Sequence, residues 1–223
     1  MDNMLLDSYL VQKSNENYLR IYRWKNPTLS LGLTNNVSEL NLEYIRNSNI
    51  DIVRRETGGG VVFHNQDLCF SLITNSSLKP KENYLAIKNI IEKIFFDLGK
   101  IVTETKDKNI KSTVCFEGSN SHEISIEGNK IVGMAQKKID KRYLLQGSIQ
   151  LKSVQLSELL IDNREIVQYG LDSNLNFNEI KEIIYNNFAT IRELRDVSVD
   201  KIINSAEYLA FRKENINKFY EEI

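Results

Sequence analysis

Apolar residues recur along this chain at two distinct periods. Met4, Leu5, Tyr9 and Leu10 fall at helical spacing and predict a first helix over 3–13. Alternation takes over at 18–24, where Tyr18, Arg20 and Tyr22 oppose Leu19, Ile21 and Arg23. A turn at Asn26-Pro27 then leads to a second strand over 28–33. Ser38 and Glu39, followed by Leu42 and Ile45, read as the start of a short helix. Strands are expected over 52–55, 61–64 and 68–74, broken by Gly58-Gly59-Gly60 and by Asn65-Gln66. The clearest helix is 81–98, where Ile87, Ile90, Ile91, Ile94, Phe95 and Leu98 form one apolar stripe behind Pro80. A hairpin follows, 123–127 and 130–137 around Gly128-Asn129, then a strand over 142–151 and helical segments near 156–161, 176–191 and 201–221. Strands gathered in sheets, with helices at intervals rather than in strict βαβ order, predict an α+β fold with mixed or antiparallel sheets and packed helices. No composition shift marks a boundary, so residues 1–223 are expected to form a single catalytic domain whose C-terminal portion, from about 155, is helical.

Composition narrows the function classes. The chain has 223 residues, 41% hydrophobic and 26% charged, the profile of a globular domain with a substantial core. A formal net charge of −1 gives no basic footprint for nucleic acid or an anionic membrane. No apolar run approaches the roughly 20 residues of a membrane span, and the N-terminus lacks a secretory pattern, so a cytoplasmic protein is expected. Cys69 and Cys115, with His64 and His122, show no metal-ligand spacing, so no metal is expected and both cysteines read as free thiols.

The sharpest local feature is Gly58-Gly59-Gly60 between two strands. Glycine permits positive φ and lets a ligand lie on bare backbone, whose amides can form an anion-binding nest. Arg54 and Arg55 precede it, of which strand alternation places only one on a ligand face. The plainer reading is a hairpin turn with a glycine bulge. Neither a P-loop nor a dinucleotide fingerprint fits, because no Gly-Lys-Ser/Thr and no helix follows.

Larger strings settle more. Val53-Arg54-Arg55-Glu56-Thr57-Gly58-Gly59-Gly60-Val61-Val62-Phe63-His64 resembles the signature of the biotin/lipoate protein ligase and octanoyltransferase superfamily. Glu127-Gly128-Asn129-Lys130-Ile131-Val132-Gly133-Met134-Ala135-Gln136 is similar to that family's Gly-x-Lys-Ile-x-Gly-x-Ala-Gln segment. Leu144-Leu145-Gln146-Gly147-Ser148-Ile149 is similar to its Leu-Gln-His-Gly-Ser-Ile stretch, and Pro27-Thr28-Leu29-Ser30-Leu31-Gly32 matches earlier in the chain. The resemblance runs from near residue 1 to about 155. It implies a biotin/lipoate ligase-like catalytic domain with an acyl chain in a tunnel beside the Gly-rich turn, and transfer of an octanoyl or lipoyl group to a lysine of a lipoyl-carrier domain. Carriers of that kind are the 2-oxoacid dehydrogenase E2 or glycine cleavage H protein type.

The resemblance also implies residue roles. Lys130 would contact the acyl carbonyl and stabilise its oxyanion, while Arg55, Thr57, Gly58, Gly59, Gly60, His64, Gly133, Ala135, Gln146 and Gly147 would bind the acyl group, an adenylate or the carrier. Two mechanisms share the scaffold. A lipoate ligase activates free acid with ATP and Mg²⁺; an octanoyltransferase takes the chain from acyl carrier protein without a cofactor. One transferase branch passes the chain through a cysteine in a Cys-Phe segment, and Cys115-Phe116 stands 15 residues before Lys130 in that arrangement. Such a nucleophile must be a thiolate, for which nearby Lys130 is the candidate counter-charge. Cys69, between Leu68 and Phe70, reads as core. His64 is either a general base for the target lysine or an anchor of the turn, and Arg55 is a candidate contact to a carboxylate, phosphate or phosphopantetheine arm.

Three departures bear on the choice. Gly60 is the ligase form, where the cysteine branch has Arg. Gln146 stands in place of His, which removes a proton carrier and leaves room for a non-catalytic acyl or lipoyl-domain binder. His122-Glu123 replaces the Asn-Asp that ligases carry. A biotin ligase would need Gly-Arg-Gly-Arg, which is absent.

Overall fold

Two sheets lie face to face, each covered on its outer side by helices, in a computed structural model that describes residues 2–103, 114–115, 123–172, 177–189, 194 and 198–219. The larger sheet runs β1 (Tyr18–Tyr22), β5 (Asp67–Asn75), β9 (Arg142–Gln150), β8 (Asn129–Ile139), β7 (Ile124–Ile126), β6 (Val102–Thr103), with every neighbouring pair antiparallel. The smaller sheet holds β2 (Thr28–Leu31) between β3 (Asp51–Arg54), parallel to it, and β4 (Val62–His64), antiparallel. The mixed α+β architecture expected from the periodicity is what forms.

Outer faces make the cores. Leu68, Phe70, Leu72, Leu145 and Ile149 alternate onto one face of the large sheet and pack under α3 (Pro80–Asp97) and α4 (Phe177–Ala189). The stripe predicted on α3 is the one that buries. Pro80 opens the helix, and the Glu82 carboxylate accepts from the Lys79 backbone N–H at 3.0 Å, satisfying a donor the first turn leaves unpaired. On the small sheet, Leu29, Leu31, Ile52 and Phe63 face α2 (Leu42–Asn47). A third cluster joins α1 (Asp2–Lys13) to α6 (Ala206–Asn215), with the Tyr9 ring edge-on to Tyr208 at 5.3 Å.

Several boundaries differ from the expectation. The short helix begins at Leu42, because Asn41 supplies the cap, accepting from the Tyr44 N–H at 3.1 Å, while Ser38 stays in the approach. The segment expected to be helical near 156–161 forms only a 3₁₀ turn, Ser157–Leu159, flanked by an unexpected pair of two-residue strands, β10 (Val154–Gln155) and β11 (Val167–Gln168). The last helix is broken: α5 (Val199–Ile203) stops at Asn204, and Ser205 caps α6 by accepting from the Tyr208 N–H at 3.2 Å. Strand β6 was also not expected.

The Gly-rich segment is no hairpin turn. β3 and β4 do not pair with each other; both pair with β2, so residues 55–61 cross over the end of β2 from its parallel to its antiparallel neighbour. That crossing demands glycine. Gly59 sits at φ +89°, and a Cβ on Gly32, at the end of β2, would stand 2.0 Å from the Gly59 carbonyl oxygen.

Candidate active site

A small cavity opens between the inner faces of the two sheets. The small sheet contributes Ser30, Val62 and His64; the large sheet contributes Cys69, Gln146, Ser148, Gly133 and Ala135. Met4 of α1, with Tyr22 and Trp24, closes the remaining side.

Alternation alone would point Lys130 away from Gly133 and Ala135. The pairing of β7 with β8 skips a residue: Ile124 faces Val132, whereas Ser125 faces Lys130. Ile131 and Val132 both pack into the large-sheet core, a β-bulge that returns Lys130 to the cavity side. There the ammonium, with only 4% of its side chain exposed, donates to the Cys115 carbonyl and to Glu123 Oε1, both at 2.6 Å, and lies 3.5 Å from Cys115 Sγ. Cys115 is held in turn through its N–H, which donates to the Val61 carbonyl at 2.8 Å, one residue beyond the Gly-rich turn. Val61 and Val114 bridge in parallel into the small-sheet core, so Cys115 points to the same face as Val62. The turn's end, the thiol and the ammonium thus meet on one side of the large sheet. Phe116 and His122, which entered the sequence reading, lie outside the described residues.

Arg55 lines the cavity and turns its guanidinium onto the Gly-rich turn. Its guanidinium donates to the Ser30 backbone carbonyl and hydroxyl (the latter at 2.7 Å) and to the carbonyls of Gly58 and Gly60 at 3.1 and 2.8 Å. It braces the turn from within. Burial pulls its pKa down, an effect opposed by attraction to Cys115, Tyr22 and Cys69. Arg54 points the other way and donates to the Asn35 carbonyl at 2.7 Å.

His64 is buried, with Trp24 stacked on its ring at 5.1 Å and both ring nitrogens engaged at 2.6 Å: Nδ1 with Asp67 and Nε2 with Ser30. The Ser30 hydroxyl links the ring to Arg55, accepting from the guanidinium at 2.7 Å. This geometry is an anchor's.

Cys69 faces the cavity rather than the core, because alternation sends Leu68 and Phe70 inward and Cys69 to the other side. Burial, and then the charge of Asp67, push its pKa well up, so it stays a thiol and donates to Asp67 at 3.1 Å. Burial opposes ionisation of Asp67, yet His64 with hydrogen bonds from His64, Ser148 and Cys69 outweighs it and holds the carboxyl below its usual range. His64, Asp67 and Cys69 place donor atoms within 4.8 Å of one another, a metal-type set that sequence spacing did not suggest, and Asp67 hydrogen-bonds both of the others.

Gln146 Oε1 accepts from Thr57 at 2.8 Å and its amide nitrogen donates to Asp7 at the same distance. Gly147 is required by packing, since a Cβ there would stand 2.3 Å from the Phe70 ring. Gly133 and Ala135 line the cavity, and Ala135 lies 4.0 Å from where a Gly59 Cβ would be. Sequence reasoning missed three participants. Glu123 orients Lys130 across the hairpin. Asp7 lies on a helix remote in sequence. Tyr84 of α3 has a phenol pushed up to about 12 by burial and then by the charges of Glu123 and Cys115. Only the hairpin spacing of Glu123 from Lys130 carried a readable signal.

Comparison with known proteins places this geometry. Residues 1–205 match the lipoyl protein ligase A/B catalytic domain. The octanoyltransferase LipM of Halalkalibacterium halodurans is 32% identical over 218 residues, covering 87% of this chain and 75% of that one. Its counterpart in Anoxybacillus flavithermus is 32% identical over 234 residues, covering 94% and 79%. A bipartite lipoate protein ligase of Thermoplasma acidophilum, solved in a study of that ligase and its E2 lipoyl domain, superposes with a TM-score of 0.73 at 17% identity, covering 97% of this chain and 87% of that one. The chain belongs to the lipoyl protein ligase A/B catalytic family.

Proposed function

We propose that this protein is an octanoyltransferase of protein lipoylation, moving an octanoyl group from acyl carrier protein to a lysine of a lipoyl-carrier domain through a thioester on Cys115. The observation that carries this reading is the 3.5 Å approach of Lys130 Nζ to Cys115 Sγ beside the Gly-rich turn. The LipM relatives, named octanoyltransferases, support the group transferred, and the E2 lipoyl domain studied with the archaeal ligase supports the acceptor class.

The thiolate of Cys115 attacks the carrier thioester. A C–S bond to Cys115 forms, the bond to the phosphopantetheine sulfur breaks, and that sulfur leaves with the proton Cys115 gave up. Lys130 Nζ, locked by Glu123, donates to the oxyanion of the tetrahedral intermediate. The neutral amine of the target lysine then attacks the Cys115 thioester; C–N forms, C–S breaks, and the amine proton returns to sulfur. His64 and Arg55 serve as anchors of the turn. Gly133 and Ala135 leave the cavity floor open for the chain.

ATP-dependent ligation is the second reading, favoured by Gly60. Against it, the Arg55 guanidinium, a candidate contact to a phosphate, is turned onto the carbonyls of Gly58 and Gly60. The test is transfer to a lipoyl domain from octanoyl-carrier without nucleotide, with mass spectrometry of the enzyme during turnover. A hydroxylamine-sensitive octanoyl adduct on Cys115 is expected. An unmodified Cys115 during turnover, or transfer only from free octanoate with ATP, overturns the reading.

A further inference from the structure

Helix α1 reaches the Gly-rich turn through a buried chain of side chains. Asp7 is fully buried at the middle of that helix. One carboxylate oxygen pairs with Arg20 and accepts from the Ser71 hydroxyl at 2.6 Å; the other accepts from Gln146 Nε2 at 2.8 Å. Gln146 Oε1 then accepts from the hydroxyl of Thr57, itself fully buried, at 2.8 Å. A carboxylate can only accept, so the Gln146 amide has one satisfied orientation, nitrogen toward Asp7 and oxygen toward Thr57. Ser8, the next residue of α1, donates to Glu56, which Lys137 also pairs at 3.2 Å. Both residues immediately before Gly58 are therefore tied to α1, while Thr57 O accepts from the Leu33 N–H at 2.9 Å.

We infer that Asp7 and Gln146 are positioning residues for acyl transfer, acting through Thr57 to hold the Gly-rich turn against Gly133–Ala135 and beside Cys115 and Lys130. The inference rests on the acyl-transfer reading for its kinetic consequence, though the structural link stands without it. A misplacement of about 1 Å at such a turn costs up to about 100-fold in rate. For Asp7, which stays off the cavity walls, the loss falls on kcat, whereas Gln146 also lines the cavity.

Charge relocation tests this. Asp7→Asn and Gln146→Glu each break the relay, the first by removing the acceptor, the second by setting two carboxylates together. The double variant rebuilds it with the charge moved one place: the new amide at 7 donates to the new carboxylate at 146, which still accepts from Thr57. Each single variant is expected to lose about 10- to 100-fold in kcat for octanoyl transfer, with KM within about twofold for Asp7→Asn. The double variant should recover most of that loss. Gln146→Glu alone should also gain a pH dependence, active at low pH where the two carboxylates share a proton and failing as pH rises. Thr57→Val removes only the terminal hydroxyl. It should speed hydrogen exchange in the peptide covering 56–62 while circular dichroism stays unchanged. A double variant no better than the weaker single one, or Thr57→Val with wild-type kcat and wild-type exchange, overturns the inference. Absence of octanoyl transfer by the wild-type protein instead overturns the acyl-transfer reading, and the exchange measurement still decides the relay.

Discussion

Lys130 shows how much a single side chain depends on its frame. Its ammonium has given up water for two carbonyl or carboxylate oxygens and the neighbourhood of a sulfur. A buried cation keeps its charge only when so partnered. Replacing it by Met keeps the length and removes the donor. Lys130→Met should lower octanoyl transfer by about 10²–10³ with little change in KM. It should also leave the Glu123 carboxylate without its 2.6 Å ammonium partner, a loss readable as a lower thermal midpoint. Turnover near the wild-type rate would remove Lys130 from the chemistry. Gly32 poses the complementary case, in which backbone rather than charge is at stake. A methyl at 32 meets the Gly59 carbonyl oxygen at 2.0 Å, and backbone on both sides cannot yield as a side chain would. Gly32→Ala should displace the turn, costing about 1–3 kcal/mol in stability and most of the activity. A variant with unchanged unfolding and turnover would contradict that contact.

Among the elements, those built on local pattern were readable and those built on remote contacts were not. The α3 stripe, Ile87, Ile90, Ile91, Ile94 and Phe95, is visible as periodicity because one sheet face covers it along its length. Ile91 is wholly buried, so Ile91→Ala should cost about 2–5 kcal/mol in urea unfolding, from lost transfer energy plus the cavity left behind. A loss below 1 kcal/mol would mean that the large-sheet core is not packed as described. The helix expected over 201–221 failed for the opposite reason. Apolar spacing ran through Ile203 to Phe211, yet the Ser205 cap turns the chain so that Tyr208 and Phe211 can meet Tyr9 of α1. The bulge at Ile131 was equally illegible. Periodicity places Lys130 and Gly133 on opposite faces, and only the register with β7 brings them to the same one. The motifs named the right strings; the pairing of strands decided which atoms meet.

Over the whole molecule, helices cover the outer faces of both sheets and polar residues gather between the inner ones. The price is a set of buried charges that must be matched, and acid should find them first. The Asp67 carboxylate is held below its usual range by His64, Ser148 and Cys69 despite its burial. A group whose folded pKa is depressed contributes stability that is complete above its unfolded value, near 4, and is lost as pH falls through the folded one. Wild-type unfolding free energy, followed by urea titration from pH 7 downward, should therefore fall as pH drops below about 4. Asp67→Asn removes the titrating group while keeping its shape. Its stability should be lower at pH 7, because Asn cannot accept every donor that the carboxylate takes, and its acid slope should be shallower. Asp162 and Asp172 are also depressed by their own partners, but they lie at the exposed surface in both proteins and cancel from the difference. Parallel slopes would mean that the carboxylate between the sheets gains nothing from its three donors. The anchor of the Gly-rich turn would then lie in Arg55 and the Asp7 relay alone.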